Sequence, residues 1–247
     1  MPCKRLRILA GPNGSGKSTV YRELCTGVNM GVFVNADLIE AELRSRRYLD
    51  VGQFSPEIDS RQFVTFYSLS GLSQRSLTLP TDFTVSADNL KIELTGFAEI
   101  DSYFAAAVAD FIRYALLNLV DRITVETVMS DRSKFDYIRA AAECGYRIYL
   151  YYISTVSPSI NIGRVDARHL EGGHNVSHDK IVARYTRSLD NLYDAVGLCD
   201  RAYFFDNSGT KFQFLAEYSK EEHALTFAQD TVPEWLHKNL IEKITRQ

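Results

Sequence analysis

Residues 11–18 read Gly-Pro-Asn-Gly-Ser-Gly-Lys-Ser, and no other stretch of the chain restricts its fold so strongly. The eight positions match G-x-x-x-x-G-K-[ST] in full. Lys4–Ala10 before them reads as a buried strand, and Lys17–Cys25 after them reads as a helix. Strand, glycine loop and helix in that order make a seat for phosphate. Glycines let the backbone curl so that several N–H groups face one anion. The helix aims its positive N-terminal end at the same point. Lys17 adds a mobile ammonium for the β- and γ-phosphates, and Ser18 a hydroxyl for Mg²⁺. Gly11, Pro12, Asn13, Gly14, Ser15, Gly16, Lys17, Ser18 and Thr19 are therefore the expected nucleotide-binding set, for ATP or GTP.

The pattern continues as an α/β chain. Val32–Asn35 reads as a short strand and Leu38–Arg46 as the helix after it. Tyr48–Glu99 changes character, being rich in Ser, Thr, Asp and Phe. Alternation at Phe83 and Val85, and at Leu90, Ile92 and Leu94, suggests short strands within an insertion at 48–99. Asp101 then caps a helix whose Phe104, Val108, Phe111, Ile112, Ala115, Leu116 and Leu119 form a core stripe. Strands are expected at 123–128, 147–154, 202–205 and 212–218, and helices at 133–144, 160–170 and 180–196. Pro233 opens a last helix carrying Trp235, Leu236, Leu240, Ile241 and Ile244. The reading is one domain over 1–247, with the insertion, a lid at 160–178 hinged at Gly172-Gly173, and a C-terminal extension at 210–247.

Composition closes off other classes. Hydrophobic residues are 45% and charged residues 24%, as in ordinary globular chains. Twenty-eight Lys and Arg against 31 Asp and Glu leave a net charge of −3, which argues against a nucleic-acid acceptor. No apolar run reaches the roughly 18 residues of a membrane span, and the expected compartment is cytoplasmic. Cysteines at 3, 25, 144 and 199 form no CxxC pair. His169, His174 and His178 fit no standard zinc spacing.

Two P-loop classes lack their other parts. Leu69-Ser-Gly-Leu-Ser-Gln74 echoes an ABC ATPase signature, yet no apolar strand ending Asp-Glu follows it. The Asn-Lys-x-Asp base-reading motif of GTPases is absent. A small-molecule kinase needs a carboxylate on the acceptor hydroxyl and arginines over the phosphates. Asp37 follows the second strand, where it is also suited to cap the next helix, and Glu126 stands near the end of the strand at 123–128. The C-terminal ends of parallel strands gather beside the phosphate loop. Arg164 and Arg168, four apart, share a helix face, and Arg184 and Arg187 follow on the next helix. Arg132, after the Glu126 strand, is a further candidate for the substrate.

Taken in order, Ala10–Thr19, Asn35-Ala-Asp37-Leu-Ile, Glu126-Thr127, Gly172-Gly-His-Asn-Val176, Arg184–Leu192 and Asp206-Asn-Ser-Gly209 resemble the zeta-toxin family of P-loop kinases, especially its shorter branch. The resemblance implies a five-stranded, mainly parallel sheet between helices and an ATP- and Mg²⁺-dependent kinase of a small hydroxylated substrate. In zeta toxins that substrate is UDP-N-acetylglucosamine. It further implies Asp37 as the base, Glu126 and Thr127 at substrate or metal, Arg164 as the first phosphate arginine, and an antitoxin protein as a partner. The family's second phosphate arginine has no direct counterpart. Spacing puts His174 there, with Arg168 and Arg184 as alternatives. Residues 48–99 match nothing in the family, and in such kinases that part holds the acceptor. An ATP-binding regulatory or interaction module stands as the alternative reading.

Overall fold

The computed structural model describes residues 3–170 and 176–246. In chain order the elements are β1 (Arg5–Ala10), α1 (Lys17–Leu24), β2 (Val32–Val34), α2 (Ala36–Arg46), β3 (Tyr48–Asp50), α3 (Arg61–Leu69), β4 (Phe83–Val85), β5 (Lys91–Leu94) and α4 (Ser102–Leu116). Then come β6 (Arg122–Thr127), α5 (Ser133–Glu143), β7 (Arg147–Ser154), α6 (Pro158–Leu170), α7 (His178–Asp190), α8 (Leu192–Gly197), β8 (Arg201–Asp206), β9 (Gln213–Ser219) and β10 (Ala224–Phe227). A final helical run comprises α9 (Glu234–Leu236), a π turn (His237–Ile241) and α10 (Glu242–Thr245).

Seven strands form a mainly parallel sheet in the order β10-β9-β8-β7-β1-β6-β2. β1 runs parallel to β7, β7 to β8, and β2 to β6. These are the five strands expected, and β9 and β10 extend them antiparallel through the C-terminal extension. β10 has no counterpart in the sequence reading, because four residues with one polar interruption leave no clear period.

The chain divides into two compact units, Met1–Met30 with Glu126–Gln247, and Gly31–Val125. In the first, β1 is apolar from Ile8 to Ala10 and β7 from Ile148 to Ile153, because both faces are covered there, as parallel strands require. Leu6, Ile8, Leu9, Ile148, Leu150 and Ile153 are all buried. The expected helix at 180–196 is two, since α7 ends at Asp190 and the chain turns at Asn191 before α8. The last helix starts after Pro233 as expected, but its π turn shifts the phase. Trp235, Leu236 and Leu240 are buried, whereas Ile241 and Ile244 are only half-buried.

In the second unit, α4 carries the expected stripe, with Phe104, Val108, Ile112 and Leu116 fully buried. Asp101 caps it, accepting from the Tyr103 and Phe104 N–H groups at 2.9 and 2.8 Å. The insertion is ordered around aromatic rings. Phe63 of α3 lies within 5.2–5.8 Å, centre to centre, of Tyr67, Phe83, Phe104 and Phe111. The Tyr67 hydroxyl donates to Thr78 O at 2.6 Å, so this polar tip is satisfied inside the core. β3, β5 and β4 form a small antiparallel sheet in that order.

Candidate active site

β1 delivers the chain into the phosphate loop, and α1 leads it away. Gly16 sits at φ 93° as the N-cap of α1. A Cβ there would lie 1.9 Å from Nδ2 of Asn207, so backbone angle and space both demand glycine. Gly14, at φ 73°, is held to glycine in the same way by the backbone carbonyl of Asn161, 2.5 Å from such a Cβ.

Lys17 is 7% exposed, so its ammonium needs partners inside the protein. Its Nζ donates to Gly11 O at 2.9 Å and Pro12 O at 3.0 Å. Oε1 of Glu126, on β6, lies 3.8 Å away. Lys17 and Glu126, expected to work at one anion, are thus neighbours. Around the same loop Asn13 Oδ1, Ser15 Oγ and Arg164 Nη1 are buried without a hydrogen-bond partner. Buried polar atoms are almost always bonded, so the two donors among these, the Ser15 hydroxyl and Arg164 Nη1, fit a site built for a polyoxyanion, whereas Asn13 Oδ1 can only accept.

The backbone beyond Glu126 is pinned. The Thr127 hydroxyl accepts from the Met129 N–H at 3.1 Å. Met129 is buried at φ 57°, an unfavourable angle for a residue with a side chain. α7 holds this turn in place. Its Ser188 hydroxyl donates to Val128 O at 2.6 Å, and the Asn191 amide donates to Met129 O at 3.0 Å. The phenol of Tyr152 meets Ser188 Oγ at 2.9 Å, and burial pushes that phenol far up in pKa, so it stays neutral. Tyr185, on the same helix face, donates to Thr155 O at 2.7 Å.

The arginines divide. Arg164 is half-buried on α6 and donates from Nη2 to Gly209 O at 3.3 Å. Arg168, one turn on, is exposed; Arg184 on α7 is half-buried. Arg132 pairs with Asp194 of α8 at 2.7 Å and lies over the Phe135 ring. Gly172, Gly173 and His174, read as hinge and alternative second charge, lie outside the described residues.

Asp37 belongs to the other unit, exposed in the first turn of α2. The cap of that helix is Asn35, not Asp37. Asn35 is extended at φ −131°, and its Oδ1 accepts from the N–H groups of Asp37 and Leu38 at 2.8 and 3.3 Å. The Asp37 carboxylate is therefore not used in capping.

For Mg²⁺ the chain offers hard oxygen donors, the exposed Ser18 hydroxyl and the Glu126 carboxylate. That set fits an ion which takes one or two protein oxygens and completes its shell with phosphate and water. Among the described residues no group of three His, Cys, Asp or Glu forms a metal cage. Among the described residues no helix is long and apolar enough to cross a membrane.

Asn161, Asn207, Ser188 and Asn191 were not singled out as site residues from sequence. Three of them stand in the stretches Arg184–Leu192 and Asp206–Gly209 that carry the family resemblance, which was the one available signal.

No protein-family model and no curated protein sequence matches the chain. Among solved structures, AvrRxo1-ORF1:AvrRxo1-ORF2 with sulphate ions is similar over 98% of this chain and 63% of that one, at TM-score 0.56 and 15% identity. The same complex with ATP is similar over 99% and 64%, at 0.53 and 14%. A structure of the PezAT chromosomal toxin-antitoxin system of Streptococcus pneumoniae is similar over 100% and 84%, at 0.50 and 14%. The chain thus spans less than two thirds of the AvrRxo1 chains, and at these identities the likeness is one of fold. That fold is the P-loop kinase fold, and at the level of fold the resemblance to the zeta-toxin kinases holds.

Proposed function

We propose that the chain is a Mg²⁺- and ATP-dependent phosphotransferase acting on a hydroxyl of a small metabolite. The observation that carries this is the buried Lys17 ammonium, held between the carbonyls of its own phosphate loop and Glu126. Phosphoryl transfer is mostly positioning and charge neutralisation, and this group is made for both. Lys17 turns from Gly11 O and Pro12 O to the β- and γ-phosphates. Arg164, whose Nη1 is unpartnered, and Arg168 add positive charge. Ser18 and Glu126 would be the protein-side oxygen donors to Mg²⁺, which would supply positive charge to offset that of the phosphates. Asp37 accepts the proton of the attacking hydroxyl. Thr127, Arg132 and Arg184 are proposed at the acceptor.

A neighbour in fold was solved with ATP, which supports ATP as the donor. The motifs shared with zeta toxins favour a nucleotide sugar such as UDP-N-acetylglucosamine as the acceptor. Two fold neighbours come from a two-protein complex and a toxin-antitoxin system, which supports an antitoxin-like protein partner. The test is release of ADP from Mg-ATP with and without each of a panel of nucleotide sugars, free sugars and nucleosides. One acceptor should stimulate release well above the rate with water. Tight ATP binding with no stimulation by any acceptor would favour a regulatory module.

A further inference from the structure

We infer that Asn161 and Asn207 are positioning residues that aim two backbone N–H groups of the phosphate loop at the bound anion. The inference rests on the nucleotide-binding reading above and adds how this chain shapes its loop. Nδ2 of Asn161 donates to Asn13 O at 2.6 Å, and Nδ2 of Asn207 donates to Ser15 O at 2.9 Å. Each carbonyl shares its peptide plane with the next N–H, that of Gly14 and that of Gly16. Among the described residues no peptide is cis, so within each plane C=O and N–H point in opposite directions. An amide that draws the carbonyl toward itself therefore turns the N–H away, toward the other side of the loop. Among the described residues neither the Gly14 nor the Gly16 N–H has an acceptor. Two freed donors on consecutive odd planes, beside the Lys17 ammonium, are what a phosphate takes.

Both asparagines are themselves fixed. Asn161 is fully buried, its Oδ1 meets the Thr155 hydroxyl, and the acceptor-only Asn13 carbonyl requires the NH₂ end of the amide to face the loop. Asn207 is 8% exposed, and its own N–H bonds Ser154 O at 2.8 Å. Its neighbours tie the turn down. Asp206 accepts from Trp235 Nε1 at 2.9 Å, Ser208 Oγ accepts from the Val156 N–H at 2.8 Å, and Gly209 O accepts from Arg164. Every residue of Asp206–Gly209 thus engages a different element, and one of them reaches the loop. The close approach explains the glycines too, since the Asn207 amide occupies the space a Cβ at Gly16 would need.

The test measures binding of inorganic triphosphate and of ATP to the full chain, native and with Asn207→Asp, Asn207→Leu or Asn161→Leu. Asp puts an acceptor against Ser15 O; Leu keeps the branched shape at Cγ and removes the donor. Each variant should bind both ligands about ten- to a hundredfold more weakly, the scale of one or two hydrogen bonds to a charged group. The melting temperature of the ligand-free protein should fall by only a few degrees. The Gly14 and Gly16 amide resonances should move on adding triphosphate to the native chain, and Gly16 should respond least in the Asn207 variants. Native affinity in both Asn207 variants, or an unmoved Gly16 resonance in the native complex, overturns the inference. A native chain that binds neither ligand refutes the nucleotide-binding reading instead. The clamp is then judged by the ligand-free Gly16 amide resonance, which overturns it if unchanged in Asn207→Asp.

Discussion

Replacing Glu126 by glutamine separates two effects of its carboxylate. Its Oε1 stands 3.8 Å from Lys17 Nζ, with the two side chains 13% and 8% exposed. At that distance, with an effective dielectric constant of about 20, the attraction is about 4 kcal/mol. Glutamine keeps the shape and removes the charge. In the native protein the ammonium is shared between Glu126 and any incoming phosphate. Giving up about a third of the attraction on binding amounts to about 1.4 kcal/mol, a tenfold change in affinity. Without Mg²⁺, E126Q should therefore bind inorganic triphosphate about tenfold more tightly than the native chain. With Mg²⁺ the order should reverse, because the carboxylate then serves the ion as a hard oxygen donor. Titration calorimetry with EDTA and with excess Mg²⁺, at one ionic strength, reads both arms. E126Q binding metal-free triphosphate no more tightly than the native protein would refute the claim that Glu126 competes for Lys17.

Three further predictions concern stability. Phe63→Ala removes a fully buried ring with four aromatic neighbours and should cost about 3–5 kcal/mol, read as lost amide-exchange protection across residues 31–125. A loss under about 1 kcal/mol would mean the insertion core repacks freely. Trp235→Phe leaves the buried Asp206 carboxylate without its indole donor and should cost about 1–3 kcal/mol by urea unfolding, against no change if water replaces the indole. Burial raises the phenols of Tyr67, Tyr151, Tyr152, Tyr185 and Tyr203, and pushes Tyr21 up to about 12. The unfolded chain then gives up protons first as pH rises past 10, so stability should hold below that point and fall above it. Full tyrosinate absorbance near pH 10 with native circular dichroism would contradict this.

The parts legible in sequence are those encoded locally. The phosphate loop declares itself through eight adjacent residues, and α4 through a stripe repeated over four turns. β3 and β10 run to three and four residues, too short for a period to emerge, and the π turn at His237–Ile241 depends on what the helix packs against. Asn35 took the cap from Asp37 because its extended backbone precedes the first helical turn, a matter of two residues in register. The asparagine contacts on the loop join residues 148 and 192 positions apart, and no local pattern marks them. Ser188 and Asn191 are similar: their place in a shared motif is visible, but their hold on the Val128–Met129 turn exists only once the chain is folded.

The central claim is transfer of a phosphoryl group to a hydroxyl with Asp37 as the base. The most direct test follows label from γ-labelled Mg-ATP into the stimulating acceptor, native chain against Asp37→Asn, with ATP affinity measured for both. The account predicts labelled acceptor from the native chain, label reduced at least about a hundredfold in the variant, and unchanged ATP affinity. Equal labelling by the two proteins would remove Asp37 from the chemistry, and no labelled acceptor from a chain that binds ATP would contradict the phosphotransferase itself.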